Sequence, residues 1–105
     1  MNDQFVRRFL DRLSPVSGTI RAIYVFGSRA KGTHRPDSDY DLLLVVTEAF
    51  TPHDKSLLYD IVIDLLLDTG RLASLKIFKE PEFNRLTALN TPFMRHVLTE
   101  GVKVG

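Results

Sequence analysis

The 105-residue sequence contains no cysteine or tryptophan and no excess of charge of one sign. The lack of cysteine excludes disulfides, thiolate nucleophiles and cysteine-ligated zinc. Fourteen basic and thirteen acidic side chains give a net charge of +1, so there is no bulk attraction to an anionic polymer, and we expect no direct binding to DNA. Apolar runs such as residues 42–46 fall far short of the roughly 20 residues that span a bilayer. Because the N-terminus also lacks a signal-peptide core, we expect a cytoplasmic protein without a membrane segment.

The length predicts a single domain over residues 1–105, since domains typically take about 100–150 residues. Hydrophobic residues make up 44% of the chain and charged residues 26%, as in ordinary globular proteins. The apolar periodicity predicts alternating helices and strands. In chain order, these are a helix over 3–13, a strand over 20–26, a turn with a short helix over 27–39, a strand over 40–46, a helix over 51–70, a strand over 72–78, a short helix from 80 and a helix over 91–101. This order predicts an α/β (α+β) fold with a small mixed sheet of at least three strands, flanked by helices.

Glycine, serine and two aspartates form the candidate site. Gly27 ends the first predicted strand and begins a turn whose amides and Ser28 hydroxyl are able to face an anion, as glycine-rich turns do for phosphates. Asp39 and Asp41 are two residues apart at the start of a strand, so alternation sends both carboxylates to the same side. Such a pair is tolerable around a divalent cation, and Mg²⁺ that bridges to phosphate suits it. These residues predict a site for phosphoryl or nucleotidyl transfer.

Two basic residues of the same turn are further candidates. Arg29 and Lys31 lie beside the predicted phosphate position, where a guanidinium fork or an ammonium group is able to contact a triphosphate. A solvated loop position is the alternative for both.

The aspartates also have an alternative interpretation, a polar turn formed by Asp37, Ser38 and Asp39 after Pro36. That interpretation does not explain Asp41. This residue precedes the apolar run of a strand that is predicted to be buried, where an unpaired carboxylate is costly.

The spacing of these residues resembles the signature of a known superfamily. The pattern is Gly27-Ser28, ten intervening residues and then Asp39-Tyr40-Asp41, with Gly32 in the turn and Ser38 directly before the first aspartate. It resembles the polymerase-beta-like nucleotidyltransferase superfamily. More narrowly, it resembles the minimal nucleotidyltransferases of bacteria and archaea, which are often paired with HEPN-domain proteins in toxin–antitoxin systems.

This resemblance implies a nucleotidyltransferase fold and a nucleoside triphosphate, such as ATP, bound with Mg²⁺. It implies that Gly27 and Ser28 hold the phosphates and that Asp39 and Asp41 are the catalytic metal ligands. The implied reaction transfers AMP from ATP to a hydroxyl of a partner, notably a tyrosine of a HEPN-domain toxin. A noncatalytic nucleotide-binding antitoxin, an antibiotic-modifying nucleotidyltransferase and a homo-oligomeric state stay open.

One departure from the family's pattern concerns a third carboxylate. Members with the full site carry it on a later strand, whereas the corresponding strand here offers Ser74 and Lys76 but no acid. Three hypotheses stay open: the site works with two carboxylates, the domain is only weakly catalytic, or the acid comes from Asp60, Asp64 or Asp68, which share one face of the long helix. An exposed acidic stripe is the alternative for those three residues.

Overall fold

The computed structural model describes residues 1–33, 35 and 39–105. Its elements are α1 (Gln4–Asp11), a 3₁₀ helix (Ser14–Thr19), β1 (Ile20–Phe26), α2 (Ser28–Lys31), β2 (Tyr40–Val46), α3 (Pro52–Thr69), β3 (Ala73–Lys79), α4 (Glu80–Ala88), α5 (Pro92–Glu100) and β4 (Val102–Lys103). Apart from the 3₁₀ helix and β4, the order of helices and strands is the one that the sequence pattern predicts.

The four strands form one mixed sheet in the order β3-β2-β1-β4. β2 is antiparallel to β1 and parallel to β3, while β4 is antiparallel to β1. The α/β fold class with a mixed sheet is therefore confirmed. The fourth strand has two residues, which is too short for alternation to reveal it in the sequence.

Both faces of β2 are covered, which explains its uninterrupted apolar sequence. Leu42, Leu44 and Val46 point to the face that α1 and α3 cover, hereafter the α1/α3 face. Leu43 and Val45 point to the opposite face, where they pack with residues of α4 and α5, hereafter the α4/α5 face. This alternation assigns a face to every other side chain of the strand.

The parallel pairing of β2 with β3 depends on α3, because parallel neighbours need a long crossover. Thr51 begins the helix by accepting a hydrogen bond from the Asp54 amide, and the Asp54 side chain accepts one from the Thr51 amide. Gly70 ends it in the left-handed conformation, with φ 71°. Both ends of this helix agree with the predicted ones.

The first helix is shorter than the predicted 3–13. It ends at Asp11, and a 3₁₀ helix with Pro15 in its first turn follows. Proline lacks an amide hydrogen and clashes with the preceding turn, so it ends an α-helix but fits the start of a new one.

Tyr40 connects α1 to the start of β2. Its ring stacks on Phe5 with 4.3 Å between centroids, and its hydroxyl donates a hydrogen bond of 2.7 Å to Asp3 Oδ2. Asp3 also caps α1, because its Oδ1 accepts from the Val6 amide at 3.1 Å. One carboxylate thus both begins the helix and holds the strand against it.

No helix in the part of the chain that the structure describes is long and apolar enough to cross a membrane.

Replacement of Tyr40 by Phe tests this connection. Burial and the hydrogen bond to Asp3 raise the pKa of Tyr40 from 10.0 to about 12. We expect Tyr40→Phe to lower the free energy of unfolding at pH 7 by about 1.5–3 kcal/mol, the usual value of a hydrogen bond to a charged group. A raised folded-state pKa means that this contribution is present below pH 10 and is lost as the pH rises through about 12. Urea unfolding of both proteins at pH 7–12 measures the difference, and a difference that persists at pH 12 would contradict the assignment.

Candidate active site

Asp39 and Asp41 flank the inward-facing Tyr40 and therefore belong to the α4/α5 side of the sheet. Asp39 is exposed and Asp41 is half-buried. Burial, followed by the charge of Asp39, raises the pKa of Asp41, while the charge of Lys76 lowers it. The effect of Asp39 on Asp41 agrees with the side of the sheet that the two residues share.

The neighbouring strands define the surroundings of Asp41. In the sheet register, Phe26 of β1 lies opposite it on one side and Ser74 of β3 on the other. Phe26 is buried and has an edge-to-face contact with Phe93 of α5, with ring centroids 5.5 Å apart. Ser74 is exposed. The Asp41 carboxylate thus lies between the buried ring of Phe26 and the exposed polar side chain of Ser74.

Gly27 directly follows β1 and is packed against this carboxylate. A Cβ atom built on Gly27 would lie 2.5 Å from Asp41 Oδ2, which is closer than real Cβ contacts allow. Its backbone, with φ 72° and ψ −155°, lies in a region that is essentially restricted to glycine. Glycine is therefore required at position 27 for two reasons, its backbone conformation and the proximity of Asp41.

α2 follows Gly27 as a single turn over Ser28–Lys31, and Gly32 ends it with φ 73°. Ser28 is the first helical residue and is half-buried. Gly27, which precedes this turn, has no side chain to cap its first amides. The turn, its short helix and the two aspartates are thus brought to one end of the sheet, as the sequence predicts.

The two basic candidates of the turn have different surroundings. Arg29 is buried, with its guanidinium carbon 4.2 Å from the centroid of the Tyr40 ring. Lys31 is exposed, and its ammonium group lies 3.3 Å from Glu100 Oε2, which also contacts His96 at 2.5 Å. A role of Arg29 and Lys31 in nucleotide binding stays a prediction.

The three aspartates of α3 do not join the site. Asp60 and Asp64 are exposed on a helix that covers the α1/α3 face, opposite the face of Asp41. Asp68 lies 2.7 Å from the Arg12 guanidinium, which lowers the pKa of its carboxyl. The hypothesis that one of them supplies a third acid is wrong, because the sheet separates them from the carboxylate pair. Their exposure agrees with the alternative, an acidic stripe.

Sequence reasoning assigned no role to Lys76. It is exposed on β3 opposite Leu43, and alternation places it on the same face as Ser74 and Asp41. The signal was present in the sequence, because Ser74 and Lys76 alternate with the apolar residues Leu75 and Ile77. The polar turn predicted for Asp37 and Ser38 lies outside the described residues.

The two carboxylates fit a magnesium ion. Within residues 1–33, 35 and 39–105, no three His, Asp or Glu side chains form a group that could hold a metal. Mg²⁺ is commonly bound by one or two carboxylates and completes its shell with water and substrate phosphates. Burial, followed by the charge of Asp39, raises the pKa of Asp41, and a bound cation would favour the ionised carboxylate instead.

Gly27→Ala tests the contact between the turn and the carboxylate. Gly70 also has a positive φ, 71° against 72° for Gly27, but a Cβ atom there would meet nothing within 4 Å. We expect Gly27→Ala to lower the melting temperature clearly more than Gly70→Ala, because Gly27 combines the contact with Asp41 and a backbone region essentially restricted to glycine, whereas Gly70 carries only the left-handed backbone cost of about 1–2 kcal/mol. Differential scanning calorimetry measures both, and equal losses would contradict the requirement for glycine at position 27.

Asp41→Asn tests the cost of the carboxylate pair. Because its folded-state pKa is raised, ionised Asp41 destabilises the fold at neutral pH, and stability is lost as the pH rises through that pKa. We expect Asp41→Asn to raise the melting temperature at pH 7 and the gain to vanish in acid, where this carboxyl is protonated in both the folded and the unfolded chain. Asp68→Asn is the control with the opposite sign, because the pKa of Asp68 is lowered by Arg12. A lower melting temperature for Asp41→Asn at pH 7 would refute this account.

Known proteins with similar sequences and structures agree with this geometry. The family model described as polymerase beta, nucleotidyltransferase matches residues 12–104. A protein of Methanocaldococcus jannaschii, assigned as a protein adenylyltransferase, is 33% identical over 103 residues, which cover 96% of each chain.

Two solved structures have the same fold. A protein from Sulfolobus solfataricus assigned as a nucleotidyltransferase superposes with a TM-score of 0.60 at 17% identity, over 95% of this chain and 76% of the other. A toxin–antitoxin structure with AMP-PNP superposes with a TM-score of 0.59 at 17% identity, over 98% and 72%. The family model covers most of the chain, and the archaeal relative has nearly the same length. The chain therefore belongs to the polymerase beta nucleotidyltransferase family, and it is a nucleotidyltransferase.

Proposed function

We propose that this nucleotidyltransferase uses magnesium to transfer AMP from ATP to a hydroxyl of a partner protein. In this proposal the partner is the HEPN-domain toxin of a toxin–antitoxin pair, and the present chain is the antitoxin. The adenylyltransferase assignment of the archaeal relative favours AMP as the transferred group. A toxin–antitoxin structure among those with this fold favours a protein acceptor, and the resemblance of the motif favours a HEPN domain.

The observation that carries the proposal is the packing of Gly27 against Asp41. The position of a Cβ atom on Gly27 falls 2.5 Å from the Asp41 carboxylate oxygen. A phosphate held by the turn would therefore lie beside the carboxylate pair. A polar turn with a structural role alone does not need a carboxylate at this position.

The residues of the site take the following roles in the proposal. Gly27 and Ser28 hold the phosphates through the amides and hydroxyl that begin α2. Asp39 and Asp41 hold Mg²⁺, which when bound neutralises charge on the triphosphate. The acceptor oxygen forms a bond to the α-phosphorus, and the bond from this phosphorus to pyrophosphate breaks.

Lys31 and Arg29 support this arrangement in different ways. Lys31 is exposed beside the turn, so its ammonium group is able to exchange Glu100 for a phosphate oxygen. Arg29 is buried against the Tyr40 ring, so we propose that it steadies the strand between the two aspartates as well as the adjoining turn.

An open site favours a macromolecular acceptor over a small antibiotic. Ser74 and Lys76 are exposed on one side of Asp41, and Asp39 is exposed as well. Small-molecule sites usually bury most of their ligand. A protein acceptor would cover the open side of the site with its own surface.

Loss of the carboxylates tests the proposed reaction. We expect Asp39→Asn/Asp41→Asn to abolish transfer of label from α-labelled ATP to a protein in an extract of the cells that make this chain. Asp60→Asn/Asp64→Asn removes the same charge from the exposed face of α3 and should leave labelling unchanged. Mass spectrometry of the labelled band identifies the acceptor. Labelling that persists without Asp39 and Asp41 would refute the proposal.

A noncatalytic antitoxin is the second candidate, and the lack of an acid on β3 beside Asp41 favours it. The same double variant separates the two functions. If it neutralises the toxin as well as the wild-type chain does in a growth assay, neutralisation occurs by contact. Toxicity that returns with the double variant supports catalysis instead.

A further inference from the structure

Lys76 is a cation near the carboxylate pair that the proposed roles leave unused. It is exposed, and it forms no ion pair with another described residue. The register of β2 and β3 places it one strand across and two residues along from Asp41. Standard strand spacings put the two Cα atoms roughly 8 Å apart, within reach of a long side chain. Its effect on the pKa of Asp41 agrees with that proximity.

The order of the strands determines the order in which the groups of the site follow one another across the sheet. β1 ends at the turn that contains Gly27, β2 lies beside it with Asp41 and with Asp39 directly before the strand, and β3 comes next with Ser74 and Lys76. The turn and Lys76 therefore lie on opposite sides of the carboxylate pair.

In-line transfer places the acceptor and the leaving pyrophosphate on opposite sides of the carboxylate pair. The attacking and leaving oxygens lie on opposite sides of the phosphorus in phosphoryl transfer. If the turn on the β1 side holds the phosphates that leave as pyrophosphate, the acceptor oxygen approaches from the β3 side. The polar groups on that side are the Ser74 hydroxyl and the Lys76 ammonium, because Ser74 is paired with Asp41 and Lys76 with Leu43.

We infer that Lys76 is the acceptor-side catalytic residue of this site and that it stabilises the acceptor oxygen as an oxyanion. The inference rests on the proposed function and names a property of its substrate: the acceptor hydroxyl loses its proton before it attacks. An ammonium group beside a hydroxyl favours the ionised form, since opposite charges attract.

The step is balanced without a base from this chain. The acceptor hydroxyl releases its proton to solvent, and the resulting oxyanion is paired with the Lys76 ammonium. The oxyanion forms the bond to the α-phosphorus, and the electron pair of the breaking bond leaves with pyrophosphate. Lys76 keeps its proton throughout.

Lys79 offers a matched control on the same strand. It is also exposed, but alternation turns it away from Asp41 and toward the other face, where its ammonium lies 3.9 Å from Glu48. Lys76→Met and Lys79→Met therefore remove the same charge from two sides of β3. Lys76→Arg keeps the charge.

The experiment measures transfer to the acceptor protein that the labelling assay identifies, together with the affinity for AMP-PNP. We expect Lys76→Met to reduce kcat/KM for the acceptor about tenfold at pH 7 and to move the midpoint of its pH profile up by about one unit, since one unit corresponds to a tenfold change in ionisation. Lys76→Arg should restore much of the rate. The AMP-PNP affinity of Lys76→Met and the kinetics of Lys79→Met should stay unchanged.

Other outcomes overturn the inference. If Lys76→Met weakens AMP-PNP binding as much as it slows transfer, Lys76 is a nucleotide ligand. If it behaves like Lys79→Met, or if its pH midpoint does not move, Lys76 is a solvated surface residue. If the wild-type chain transfers no label at all, the proposed function itself fails, and the inference fails with it.

Discussion

The side chains of β2 alternate between two covered faces, and this alternation ties the fold to the site. Tyr40, Leu42 and Leu44 join the core under α1 and α3, which fixes the rotation of the strand about its own axis. Once that rotation is fixed, Asp39 and Asp41 have to point to the other side. The same side receives the turn at Gly27, because Phe26 and Asp41 are paired in the sheet. The positions of the two carboxylates thus depend on apolar packing on the opposite face of the sheet, in which the carboxylates take no part.

Much of this arrangement was available from the sequence. Local signals placed α3 between Thr51 and Gly70, since capping and left-handed termination depend on neighbouring residues alone. Alternation placed Asp39 and Asp41 on one side, and the spacing of the motif led to the family. The strands and their order along the chain followed from short apolar runs bounded by glycine and proline.

Features that depend on distant pairing could not be predicted in this way. β4 has two residues and exists because β1 offers an edge. The face given to Asp60, Asp64 and Asp68 follows from how α3 packs on the sheet. Arg29 appeared to be an exposed loop cation, but the Tyr40 ring covers it. Each of these contacts joins residues that are far apart in the sequence, so local patterns do not reveal it.

The hydrogen bond from Tyr40 to Asp3 links the first helix to the strand that carries the site. Asp3 both begins α1 and receives the Tyr40 hydroxyl, and Tyr40 is the residue between the two carboxylates. The position of Tyr40 thus depends on contacts with Asp3 and Phe5 on the face of the sheet opposite the carboxylates. Residues near the start of the chain therefore help to hold the backbone from which Asp39 and Asp41 extend, although they belong to the other face.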